Sequence, residues 1–78
     1  MYISIGPSKV VRREDVVAIF DLDSSTVSLY TRNFLKDADK NKRVFPLGFE
    51  LPKSFILMID NTVYLSPYNS YTIYNNKI

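Results

Sequence analysis

Four groups of side chains in this 78-residue chain have types and spacings that chemistry can use. Asp21 and Asp23 stand two apart at the end of an apolar run, a spacing that suits a divalent cation. A calcium loop needs more oxygen ligands and a glycine at its tight turn, and neither is present. Capping a following helix is the better use of these acids. Lys9, Arg12 and Arg13 form a compact basic cluster on a short hairpin, and guanidinium forks match phosphate geometry. Strand alternation sends Lys9 and Arg13 to one side and Arg12 to the other, so the three share a face only if the strand bends or ends near Arg12. Edge charges that block sheet-to-sheet aggregation are an equal alternative. Arg32, Lys36, Lys40 and Arg43 recur at helical spacing, either as secondary phosphate contacts or as a solvated helix face. Tyr64, Tyr68, Tyr71 and Tyr74 could stack on bases, but no basic groove is interleaved with them. Large, stiff tyrosines also suit subunit contacts, and an oligomer interface is the preferred reading.

Composition removes whole classes of function. Histidine and cysteine are both absent. Ser-His-Asp and Cys-His nucleophilic catalysis, structural zinc and disulfide stapling go with them. Nothing in the sequence separates the eight acids into a catalytic acid and base. We therefore expect a binding module, with no enzyme activity, cofactor, metal or small-molecule substrate. Ten Lys+Arg against eight Asp+Glu give a net charge of +2, but the excess is local. Arg32 to Arg43 holds five cations and two acids, and the rest of the chain holds five and six. No apolar run approaches the roughly 18 residues of a membrane span. The opening residues read as a strand rather than a secretion signal, so a cytoplasmic location is expected.

The elements that must carry these residues follow from periodicity. Tyr2–Ile5 alternates and ends at Gly6-Pro7-Ser8, and Lys9–Arg12 returns as a hairpin partner. Val16–Phe20 is a five-residue apolar run, expected as a buried strand. Val27, Tyr30, Thr31, Phe34, Leu35 and Ala38 fall on one helical stripe, capped by Asp21–Ser25 and fading over Asp39–Lys42. Residues 44–52 hold two prolines and a glycine, which confines them to an edge strand or a loop laid on the sheet. Ser54–Ile59 and Thr62–Ser66 make a hairpin around a two-residue turn, Asp60-Asn61. Asn69 or Ser70 caps a short terminal helix. The expectation is a single α+β domain over residues 1–78. It has one small, mostly antiparallel sheet of five to six short strands, a main helix after the third strand and a short C-terminal helix. A chain this small buries only about 60% of its unfolded surface. With 46% hydrophobic residues, part of its apolar surface is expected to be covered by another copy.

Three stretches together resemble a known family. They are Met1–Gly6, Arg13–Asp21, and Pro52–Leu57 leading to Val63–Pro67. Their order and spacing are similar to the bacterial extracellular-matrix regulators RemA and RemB, the RemB branch in particular. The resemblance implies a cytoplasmic, DNA-binding regulator of biofilm-matrix genes, and for the RemA branch ring-like oligomers that present arginines to DNA. This chain departs from the RemA pattern at two places. Asp15 stands where an arginine precedes the third strand. Of the charge in the paired arginines that follow a glycine, only Lys53 remains. Since salt-dependent affinity scales with the phosphates neutralised, Arg12, Arg13, Lys9 and Lys53 are the residues left to contact duplex DNA. The alternative is a non-catalytic, homo-oligomeric scaffold that binds protein through its tyrosines or an exposed strand.

Overall fold

The structure, a computed structural model, describes residues 1–22 and 29–76. In chain order the elements are β1 (Tyr2–Gly6), β2 (Lys9–Arg12), a single 3-10 turn (Arg13–Asp15), β3 (Val16–Asp21), α1 (Leu29–Lys40), β4 (Val44–Pro46), β5 (Ser54–Met58), β6 (Val63–Ser66) and α2 (Ser70–Asn75). The α+β class, the main helix after the third strand and the short C-terminal helix are as expected. The single sheet is not. β1 and β2 form a two-stranded antiparallel sheet, and a separate four-stranded sheet runs β3-β5-β6-β4, with β4 parallel to β6.

Alternation along β5 and β6 explains the division. Phe55 and Leu57 face one side of the four-stranded sheet together with Val63 and Leu65, and they pack with Phe34, Leu35 and Ala38 of α1. Ile56, Met58 and Tyr64 face the other side, where Ile3 and Ile5 of β1 and Ile73 of α2 cover them. An isolated hairpin cannot bury its own apolar face. Laid across a sheet that is apolar on both sides, it buries Ile3 and Ile5 almost completely, and each such side chain contributes about 1.5–3 kcal/mol. The result is three layers: hairpin with α2, sheet, and α1.

Two details tie the layers. Ser54 and Ser66, paired across β5 and β6, are buried but satisfied: Ser54 Oγ donates to the Tyr68 carbonyl at 2.7 Å, and Ser66 Oγ accepts from the Tyr68 N–H at 3.0 Å. Asn69 caps α2 by accepting from the Thr72 N–H at 2.8 Å, as its residue type suggested.

Several expectations change. β3 is an edge strand paired only with β5, so Val17 and Phe20 stay exposed and the run is not buried. A register irregularity between Val16 and Ala18 turns Val17 outward. Four residues, 59–62, separate β5 from β6, rather than two. Met58 N–H reaches the Thr62 carbonyl, and Asn61 takes the left-handed conformation (φ 71°) that closes such loops. α1 ends where its polar tail predicted. Arg43 N–H reaches back to the Ala38 carbonyl and Lys42 N–H to Asp39, a left-handed cap with Lys42 at φ 59°. Tyr30, on the expected buried stripe, is exposed. The proposed cap residues Asp23–Ser25 and the stripe residue Val27 lie outside the described residues. Asp21 does cap a helix, but it is α2. Its carboxylate accepts from the Ser70 N–H at 2.8 Å and from Ser70 Oγ at 2.7 Å.

Candidate nucleic-acid interface

The sequence nominated Lys9, Arg12, Arg13 and Lys53 to meet phosphates, and the fold separates them. β2 alternates, so Lys9 turns toward the sheet. Its ammonium lies 4.9 Å from the centre of the Tyr64 ring, a cation–π contact made by a half-buried side chain. Arg12 turns outward and donates to Glu14 Oε2 at 2.9 Å. The Glu14 carboxyl is held below the usual carboxylate range, first by its own backbone N–H and then by the Arg12 guanidinium. That pairing uses one guanidinium nitrogen and offsets part of the charge Arg12 would offer a phosphate. Arg13 is exposed in the 3-10 turn before β3, beside Tyr74 and Val17. Lys53 is exposed just before β5, its backbone fixed by bonds to Ser66 and Leu22. Because β3 and β5 are antiparallel, Arg13 and Lys53 sit at opposite ends of the pair, separated by the length of β3, about 20 Å.

The helical stripe divides too. Arg43 is half-buried and structural. It donates to the Asn61 carbonyl at 2.7 Å, bridging the end of α1 to the β5–β6 loop, with Asp37 at 3.8 Å. Arg32, Lys36 and Lys40 are all exposed on α1, and none of the ion pairs among the described residues involves them. Successive members are four residues apart, about 6 Å along the helix axis. This is the one row of free cations on a single rigid element among the described residues, and the sequence had ranked it behind the hairpin cluster.

The four tyrosines fall into two pairs. Tyr64 and Tyr68 are half-buried and pack against the chain's own core, Tyr64 with Phe45 at 6.2 Å between ring centres. Tyr71 and Tyr74 stand exposed on α2. Sequence reasoning missed Phe49 and Leu51. Expected to lie on the sheet, they instead project from the loop between β4 and β5. Their proline-bracketed apolar pattern was the signal, since a loop that cannot join the ladder need not fold back on it. No helix among the described residues is long and apolar enough to cross a membrane. No cluster of three or more acids or other metal-ligating side chains forms among them either.

A family model described as RemA-like, extracellular matrix regulatory protein A-like, matches residues 2–76. The chain belongs to this family. The match spans every element from β1 to α2. Extracellular matrix regulatory protein B of Bacillus subtilis (strain 168) is 36% identical over 73 residues, covering 94% of this chain and 85% of that protein. As a RemA-like chain the protein is an extracellular-matrix regulator by family.

Proposed function

We propose that this RemA-like chain regulates matrix genes by binding duplex DNA as a homo-oligomer, mainly through phosphates. The observation that supports it best is the row Arg32, Lys36 and Lys40: exposed, unpaired among the described residues and one helical turn apart. Arg13 and Lys53 add single contacts at either end of β3. Each copy supplies few cations, and repetition makes them useful, because neighbours of a bound copy meet the same duplex at high effective concentration. Such contacts position the protein without reading bases. Self-association is supported by the many exposed large apolar side chains, Leu29, Tyr30, Phe49, Leu51 and Tyr71 the most exposed among them.

The same apolar surface favours a second reading, a protein-interaction scaffold without DNA contact. Fluorescence anisotropy with a generic duplex at about 50 and 200 mM salt separates the two. The regulator binds with a steep salt dependence, and Arg32→Ala/Lys36→Ala/Lys40→Ala flattens that slope. No binding at the lower salt supports the scaffold.

A further inference from the structure

An apolar cavity of about 250 Å³ lies between α1 and the four-stranded sheet, lined by Phe20 of β3, by Tyr30, Thr31 and Phe34 of α1, and by Phe55 and Leu57 of β5. Protein interiors are normally packed until few gaps larger than a water molecule remain. Here the chain leaves the space open. The later part of α1 is seated on the sheet through Phe34, Leu35 and Ala38, whereas Leu29 and Tyr30 at its start are 71% and 89% exposed. Tyr30 borders the gap without filling it. We propose that this cavity is a binding site for a small, uncharged aromatic molecule of one or two rings.

Size, lining and position carry the assignment. A dry apolar cavity of about 150 Å³ takes up benzene. The larger space here suits one substituted ring or a fused pair, and it falls short of the roughly 300 Å³ at which pockets for drug-sized ligands begin. Phe20 and Phe55 stack at 4.9 Å with 22° between their planes, and Phe34 lies tilted at 31° with its centre 6.1 Å from that of Phe55. Together they present ring faces and ring edges, the two partners an incoming aromatic prefers. The free edge of β3 leaves a way in, since no strand pairs beyond it among the described residues. The same lining rejects charge. Among the described residues no Asp, Glu, Lys or Arg borders the cavity, and its polar side-chain groups are the Thr31 and Tyr30 hydroxyls. An ion entering it would lose hydration and gain no partner. Arg32 and Lys36 supply none, because each stands two residues from Phe34, about 200° around the helix. The ligand therefore meets one face of α1 and the cation row occupies the other, so the two do not compete for one surface.

The test titrates the full chain with indole. A ligand held by the folded chain alone, at about a tenfold excess over its dissociation constant, raises the melting midpoint of a domain this size by about 5–10 °C. That rise is expected with indole and not with benzoate, which carries a ring and a charge. Backbone-amide NMR locates the site: indole should shift the signals of Phe20, Tyr30–Phe34, Phe55, Leu57 and their immediate neighbours. Phe20→Glu puts a charge into the lining at an exposed edge position, and Thr31→Trp fills the space. Both should keep the wild-type circular dichroism and lose the indole response. If Thr31→Trp does not fold, Phe20→Glu and the NMR map decide the matter. No rise and no shifts up to the solubility limit of indole overturn the site, and so does a response that survives Phe20→Glu. A response that comes only with a fall in particle mass by light scattering also overturns it, because a second copy then holds the cavity. The salt dependence of duplex binding is read separately, so this site and the regulator reading can fail independently.

Discussion

The ammonium of Lys9 rests 4.9 Å from the centre of the Tyr64 ring, joining a strand of the covering hairpin to a strand of the sheet beneath. Both side chains had looked outward-facing in the sequence, one toward DNA and the other toward a neighbouring subunit. The contact occupies them with each other. Lys9→Met keeps the apolar stem and removes the charge, so it should destabilise the chain by about 0.5–1 kcal/mol in urea unfolding. The salt slope of DNA binding should not change. A slope smaller by one with unaltered stability would show that Lys9 serves phosphate instead.

Glu14 offsets the charge of Arg12, to which it is paired at 2.9 Å. Glu14→Gln removes an acid and releases the guanidinium, so duplex affinity should rise and the salt slope steepen by about one phosphate per copy. The linkage has a definite sign. A carboxyl whose folded pKa is depressed contributes stability above its unfolded pKa, and that contribution disappears as pH falls through the folded value. The wild type should therefore lose this contribution in acid while Arg12 becomes available. Glu14→Gln should show neither change, which paired unfolding and anisotropy titrations would reveal.

Asp21 and Ser70 are 49 residues apart and share two hydrogen bonds that tie the end of β3 to the start of α2. Asp21→Ala should cost about 1 kcal/mol, the usual scale for a lost N-terminal cap, and Asp21→Asn should cost less because it retains an acceptor. Equal losses in urea midpoints would mean that the charge, not the acceptor, matters.

Gly6 lets the hairpin approach the sheet edge. A Cβ there would lie 2.8 Å from Leu47 Cδ1 and 3.0 Å from its Cβ, and Leu47 is held by its backbone bond to Leu65. Gly6→Ala should destabilise by about 1–3 kcal/mol, the scale of overpacking. Adding Leu47→Ala should recover part of the loss if this contact is the cause, and a double variant whose melting shift equals the sum of the two singles would exclude it.

The residues alone determined which chemistries were open and which segments became strand or helix. A chain without histidine or cysteine cannot build their sites, and that follows from composition. The runs at Ser54–Met58 and Val63–Ser66, the stripe Phe34-Leu35-Ala38 and the Asn69 cap encode local periodicity and capping, which need no distant partner. Tertiary structure decided everything that depends on which elements meet. Alternation in β1 marks Ile3 and Ile5 as one face but does not say whether the hairpin lies beside the sheet or across it. Lys9 finds Tyr64 only once the hairpin lies on the sheet, and Arg43 finds Asn61 only once β4 pairs beside β6. The cations left to act are those without such partners, because long charged side chains take whichever neighbour the packing brings within reach.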